Sequence, residues 1–451
     1  MKKVALINPG RDPSFAIQEP LNLGFLASYL EANGVTVSII DELAGQDVVQ
    51  ELARFQPDLV GITATTPFAE DAYRVADYCR SQSLRTVMGG VHANVMTEEA
   101  LGHVDIVVKG EGEYALLKIV GEDIKSGVIQ GEYVKNLDEV PRPAYHLMQM
   151  EFYMRTKERL PGTYLHFVPS SRRVASMLTS RGCPFNCLFC HNSWRGLPYR
   201  FNNAERVLED IKYLIKEYSI GTIFFIEDHF FVNKPRLKKI CEMLIEQKLN
   251  IVWGANSRVD NLDEETLRLA KKAGCRQVTF GFESGCQKTL DYYNKRTKVE
   301  QNRQAIALCK KVGVLCQGTF IIGGPEETAQ DIKETQEFIR QNPIDSAGIC
   351  IATPFPGTGL WEKCKQEGLI PPRLPWSQFT FDQVPFHICK NLSNEQIWSL
   401  YLETCAIADK RKYGNMSTLL RFFMENPTLY IKNILRNPSR AVGLLRGAIF
   451  K

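Results

Sequence analysis

Three cysteines stand close together in the run "TSRGCPFNCLFCHNSW" (179–194), at Cys183, Cys187 and Cys190. Zinc takes four ligands, and structural zinc sites usually pair Cys-x-x-Cys knuckles. Here the one nearby fourth candidate is His191, and its place next to Cys190 makes a tetrahedron sterically awkward. A four-iron cluster also takes four ligands, so three protein thiolates leave one iron open to a substrate or cofactor. The run therefore reads as a reaction centre. The other ten of the thirteen cysteines are spread thinly, and Cys79, Cys241, Cys309 and Cys364 fall at helical positions as small core residues. An odd count without framework spacing excludes a disulfide scaffold and points to a reducing, cytoplasmic setting.

The elements that must position this loop are legible as alternating patterns. With 451 residues, 44% hydrophobic and 24% charged, the chain is a globular protein of two or three domains. Its first 120 residues alternate β-branched runs ("KVALIN", "VTVSIID", "DLVGITAT", "RTVMGG", "DIVVKG") with helical ones, which predicts a parallel, doubly wound α/β sheet. Ligands of such sheets bind at the strand carboxyl ends. Asn8, Pro9, Thr63, Thr65, Thr66, Gly89, Gly90, His92, Gly110 and Glu111 fall there, mostly small or hydroxyl residues that let a bulky ligand approach the backbone. A second alternation from about 174 to 365 has about six βα units, too few for an eight-fold barrel. It predicts an incomplete, TIM-like (β/α)6 barrel with its site at the strand C-termini. We expect an N-terminal domain over 1–140, a linker over 141–172 marked by Pro141 and Pro143, the barrel over 173–365, and a helical, basic region over 366–451.

Cys183, Cys187 and Cys190, in a loop after the first strand of a βα repeat and with Phe189 before the third cysteine, resemble the signature of the radical S-adenosylmethionine (SAM) superfamily. The resemblance implies a [4Fe–4S] cluster whose open iron chelates SAM, and reductive cleavage to a 5′-deoxyadenosyl radical. It further implies SAM contacts from Phe189, from Glu227 in "IEDHFF", Asn256 and Arg258 in "GANSRVD", Glu283 and Ser284 in "FGFESG", and Gly323 in "GTFIIGGPEET". In this reading Arg258 is a carboxylate clamp, since a guanidinium pairs a carboxylate bidentately, and Glu283 a ribose ligand. Ahead of such a core, "INPG", "PLNLGFLASYL", "DLVGITATT", "VMGGVHANVM" and "VVKGEGEYAL" resemble the Rossmann-like cobalamin-binding domain of the B12-binding radical SAM subgroup. The Asp-x-His-x-x-Gly motif that gives cobalt a histidine in the mutases is missing. That leaves cobalt five-coordinate or met by the 63–68 loop.

Two enzymatic readings follow from the resemblance. In the first, cobalamin relays a methyl group from SAM to an unactivated carbon of a small-molecule or lipid-like intermediate. In the second, the domain keeps its fold without cobalamin, and the adenosyl radical drives dehydration, cyclisation or bond formation. A non-enzymatic iron–sulfur sensor is a third. The resemblance also implies an external electron donor of flavodoxin or ferredoxin type; nucleic acid is not expected as a partner. No stretch nears ~18 apolar residues, so no membrane-spanning helix is expected. Residues 410–451 carry nine Lys/Arg against one acid, Glu425, while the whole chain is +4. "LLRFFMENPTLYIKNILRNPSRAVGLLRGAIFK" mixes these cations with apolar residues at helical spacing, as segments that lie on the inner face of a membrane do.

Overall fold

The structure, a computed structural model, describes residues 2–11, 18–159, 173–192 and 196–413. Strands β1 (Lys3–Asn8), β2 (Thr36–Asp41), β3 (Leu59–Thr63), β4 (Thr86–Gly89), β5 (Ile106–Gly110) and β6 (Gly127–Gly131) form a parallel sheet ordered β2-β1-β3-β4-β5-β6. The strands are apolar runs because helices cover both faces. Val4 and Leu6 pack with Leu23, Ala27 and Leu30 of the helix Leu21–Ala32 on one side. Ala5, Ile7, Val60 and Ile62 pack with Ala69, Ala72 and Ala76 of the helix Ala69–Ser81 on the other.

After β7 (Arg173–Met177), the short strands β8 (Ser180–Arg181) and β9 (Arg200–Phe201) pair antiparallel and close the ends of the cysteine loop. Strands β10 (Ile220–Phe225), β11 (Val252–Ser257), β12 (Cys275–Glu283), β13 (Leu315–Ile322) and β14 (Ser346–Ile351) complete a second parallel sheet, β14-β13-β12-β11-β10-β7. This is the incomplete barrel the βα count predicts. Phe280, Phe282 and Phe320 alternate outward into the core beneath the helices. Gln277, Thr279 and Gln317 alternate inward and bond one another across β12 and β13. β7 and β14 do not pair, and the helix Asn394–Tyr413 lies on β14, with Ile397 against Ile322 and Ile351.

Two stretches differ from expectation. The 141–159 part of the segment read as a linker is a packed element: the helix Met150–Arg159 buries Met150, Tyr153 and Met154, and the Tyr153 hydroxyl donates to Asp41 Oδ2 at 2.6 Å. Residues 367–393 are irregular apart from one 3-10 turn, Trp376–Gln378, before the helix Asn394–Tyr413 begins. They strap the first sheet's helix layer, because Trp376 and Phe379, with Trp361 of the preceding helix, bury with Ala72, Tyr73 and Ala93. Trp376 meets the His92 ring edge-on at 4.7 Å and donates Nε1–H to Glu99 at 2.7 Å. A Trp376→Ala chain loses that packing and leaves a cavity, so its unfolding free energy should fall by about 3 kcal/mol, read as a lower denaturant midpoint at unchanged m-value.

Candidate active site between two sets of strand ends

The carboxyl ends of both sheets converge on the β8–β9 ribbon. On the first sheet they open a crevice of ≈ 450 Å³. Its floor is glycine and hydroxyl residues (Thr63, Thr65, Gly89, Gly90, Gly110), and its walls are apolar, with Phe25 and Leu26 on one side and Leu178 and Leu197 of the barrel side on the other. Gly90 has φ +95°, and a Cβ there would stand 2.6 Å from Ala64 O; beside it, a Cβ on Gly89 would meet nothing within 4 Å and would only fill the crevice. A bulky planar ligand needs such a side-chain-free floor, so this cradle fits a corrin.

Not every expected residue lines it. Asn8 is withdrawn to bond Asp41 Oδ1 at 2.9 Å, and neither it nor Pro9 reaches the crevice. Thr66 is buried in the turn Thr66–Phe68, 3.3 Å from His92 Nδ1. His92 is fully buried, its Nε2 3.1 Å from the Tyr73 hydroxyl, and burial lowers its pKa to about 4. It is therefore a neutral core residue. Glu111 does line the crevice, but its carboxylate is taken by Arg200 (2.8 Å) and Arg181 (3.3 Å).

The second set of strand ends holds the cysteine loop. Its backbone is pinned from a segment that sequence reasoning missed: Leu188 N–H donates to Tyr293 O, and Asn294 Nδ2 donates to Asn186 O, both at 2.8 Å. Asn294 and Arg296 sit at positive φ (50° and 56°), which marks a tight, irregular turn. Phe189 meets the Tyr293 ring at 5.3 Å. Cys187 is buried and Cys183 and Cys190 are half-buried, while Pro184 and Asn186 between them are exposed. Burial, together with Asp228 and the neighbouring thiols, raises the Cys183 and Cys190 pKa values, Cys190 to about 12. These sulfurs become thiolates when a metal cation displaces their protons, which is how metal–thiolate sites form. Cys187 is buried, and Arg258 Nη1 donates to its sulfur at 3.8 Å. Three sulfurs in one loop, with Cys187 accepting from Arg258 and Cys190 donating to the His191 carbonyl at 3.6 Å, supply the kind of donor a cluster takes.

Around the loop the expected residues have different partners. Glu227 is buried; Arg236 donates to Thr179 Oγ1, whose hydroxyl donates to Glu227 Oε1, while Glu227 Oε2 has no hydrogen-bond partner. Asn256 donates to the Glu227 carbonyl at 3.2 Å. Arg258, expected as a carboxylate clamp, is held bidentately by Asp260 at 3.1 and 3.0 Å, and its guanidinium lies 3.6 Å over Phe185. Glu283, at φ +62° beside a register shift in β12, pairs with Lys295 Nζ at 2.6 Å. Ser284, expected at the SAM site, is engaged within the fold. Its hydroxyl is 2.9 Å from Thr335 Oγ1 and accepts from Cys286 N, so it ties the strand end to the helix Ala329–Gln341. Gly323 sits at φ +81° beneath Ile397.

Part of the chain, 177–339, matches the model of the radical SAM superfamily, and 14–120 matches the B12 binding domain. The chain is 34% identical to an uncharacterized methyltransferase of Pyrococcus horikoshii, over 95% of this chain and 93% of that protein. It is 30% identical to the anaerobic magnesium-protoporphyrin IX monomethyl ester cyclase of Rubrivivax gelatinosus, over 76% of this chain and 66% of that one. The solved structure of OxsB, a cobalamin-dependent SAM radical enzyme with aqua-cobalamin bound, shares the fold at TM-score 0.70 and 20% identity, covering 85% of this chain and 65% of that one. The chain thus spans about two thirds of the cyclase and of OxsB.

Behind the Gly323–Gly324 turn lies an acid the motif reading passed over. Glu327 is buried, its Oε2 accepts from Gly324 N at 3.0 Å, and its Oε1 has no partner. Desolvation raises its pKa to about 7, against the opposing N–H groups of Gly324 and Gly323. A raised carboxyl stabilises the fold below its unfolded pKa and loses that contribution as pH rises through the folded value. Glu327→Gln, which cannot ionise, should therefore gain on the unsubstituted chain by about 2 kcal/mol between pH 5.5 and pH 8, measured by chemical denaturation at both pH values.

Proposed function

The chain belongs to the radical SAM superfamily, in its B12-binding group, and from that membership we propose that it moves a methyl group from SAM to an unactivated carbon of a tetrapyrrole- or isoprenoid-like substrate. It is a radical SAM enzyme of the cobalamin-dependent class, with a [4Fe–4S] cluster, SAM and cobalamin as cofactors. The observation that carries the proposal is the glycine-floored crevice opening toward the ribbon that frames the three cysteines. When bound, the cluster supplies the electron that cleaves SAM to the adenosyl radical, and cobalamin supplies the methyl group.

The roles of the residues follow from their surroundings. Cys183, Cys187 and Cys190 hold the cluster, and Arg258, fixed by Asp260 and stacked on Phe185, directs one N–H at the Cys187 sulfur. Lys295 fixes the Glu283 carboxylate at the mouth, where a ribose hydroxyl can donate to it. Glu227 Oε2 is an acceptor waiting for a donor such as the SAM ammonium, since a buried orphan carboxylate oxygen costs free energy until it is satisfied. Leu178, Leu197 and Phe25 keep water from the side of the crevice that meets the barrel. We assign 1–140 to the cobalamin domain and 173–365 to the radical core. The electron comes from an external flavodoxin- or ferredoxin-type donor.

All thirteen cysteines are free, which supports a reducing, cytoplasmic compartment. No helix among the described residues is long and apolar enough to cross a membrane. The basic amphipathic tail lies outside the described residues; its composition supports peripheral contact with an anionic bilayer, which would deliver an apolar substrate. A second reading, ring closure by the adenosyl radical, is favoured by the 30% identity to the cyclase. Product analysis separates the two, because methyl transfer yields S-adenosylhomocysteine.

Anaerobic reconstitution should give about four iron and four sulfide per chain, a corrinoid absorption spectrum, and 5′-deoxyadenosine on reduction with SAM. Cys183→Ala should abolish the nucleoside and keep the corrinoid. A full cluster and normal nucleoside in that variant would overturn the cluster assignment; no corrinoid uptake from hydroxocobalamin would overturn methyl transfer. Full-length protein should sediment with anionic liposomes at low salt and release at high salt, whereas a chain ending at Tyr413 should not sediment.

A further inference from the structure

Burying charge is expensive, and a buried ion-pair network is often no more stable than apolar residues of the same volume. Where one is kept, positional specificity is the use to look for. One such network lies between the crevice on the first sheet and the cysteine loop. Arg181 Nη2 donates to Glu113 Oε1 at 2.6 Å, and Nη1 lies 3.3 Å from Glu111 Oε2. Arg200 donates to both Glu111 oxygens, at 2.8 and 3.0 Å. All four side chains are at most 9% exposed. The carboxylates stand on the first sheet, just past β5 and at the start of the helix Glu113–Gly121; the guanidiniums stand on β8 and β9. The three cysteines hang on the connection between those two arginines, residues 182–199.

The network is also built into the crevice. Arg181 and Glu113 line it, and the Arg181 guanidinium lies 5.4 Å over Phe25, another wall residue. Arg200 lies over Tyr133 and donates to the Val134 carbonyl, while Val134 N–H donates to Glu111 Oε2 at 2.6 Å. Two positive and two negative charges leave the lock neutral, so it adds little net field to the crevice or the cysteine loop. What it adds is geometry, because the bidentate Arg200–Glu111 pair and an Arg181 fork shared between two carboxylates tolerate little rotation or shift.

Resting on the functional reading above, we propose that Arg181 and Arg200, with Glu111 and Glu113, are positioning residues that fix the cluster loop at a set distance and orientation from the cobalamin crevice. A group relayed between two cofactors needs that distance held within a fraction of an ångström in productive geometry.

The test reads position on the full-length protein. In the reconstituted protein, pulsed electron paramagnetic resonance between the reduced cluster and cob(II)alamin should give a narrow distance distribution, and Arg181→Met should broaden it at least twofold. Amide hydrogen exchange in the unloaded protein should rise about tenfold over 183–192 in Arg181→Met and in the milder Glu113→Gln, with the helix Ala204–Tyr218 unchanged. Arg181→Lys, which keeps the charge but not the fork, should fall between. An unchanged distribution and unchanged loop exchange overturn the proposal. So does a uniform rise that includes Ala204–Tyr218, which would make the network an ordinary contributor to stability. Should the unsubstituted protein take up no corrinoid, the functional reading fails while the exchange arm still decides the lock.

Discussion

Glu111 and Glu113 leave the end of β5 already committed to arginines on the β8–β9 ribbon, and because none of the four charges has water to fall back on, neither half can turn without stranding the other. The crevice wall, the cysteine loop and the Tyr133–Val134 chain after β6 all attach to that one group of side chains. Parallel sheets put binding residues at their strand carboxyl ends. Two such sheets make one reaction site only when those ends are held toward each other, and the ribbon is where this happens.

The loop's surroundings follow the same economy of charge. Arg258 arrives with Asp260, Lys295 with Glu283, and Arg236 reaches Glu227 through Thr179, so each buried cation near the sulfurs carries its own partner. Their value lies in direction more than in net charge. Against those pairs, Glu227 Oε2, His229 Nδ1, the Tyr293 hydroxyl and Glu327 Oε1 are buried without a hydrogen-bond partner.

The first sheet is also shaped from behind. Trp361 from the barrel's last helix and Trp376 and Phe379 from beyond the barrel pack on the helix Ala69–Ser81, enclosing His92 between Tyr73 and Trp376. A histidine at a strand end invites a ligand role, yet this one is taken out of the crevice by packing from residues nearly three hundred positions away. The charged groups that do line the crevice, Glu111, Glu113 and Arg181, are paired with one another or with Arg200.

The sequence alone determined the parts that depend on local rules. Short β-branched, apolar runs separated by helical ones dictate two parallel sheets, six βα units dictate an open barrel, and Cys183, Cys187 and Cys190 in a single loop dictate one centre whatever the rest of the chain does. Glycines and threonines at strand ends mark the crevice for the same reason. Tertiary structure decided what each polar side chain is free to do. Arg258 and Ser284 look available in their motifs, but Asp260 and Thr335 hold them; Arg181 and Arg200 look like flanking residues, but they meet carboxylates 68 and 89 positions earlier in the chain. Spacing along a chain constrains backbone periodicity, which is local. Hydrogen-bond saturation is a property of neighbours in space, and only the folded arrangement supplies them.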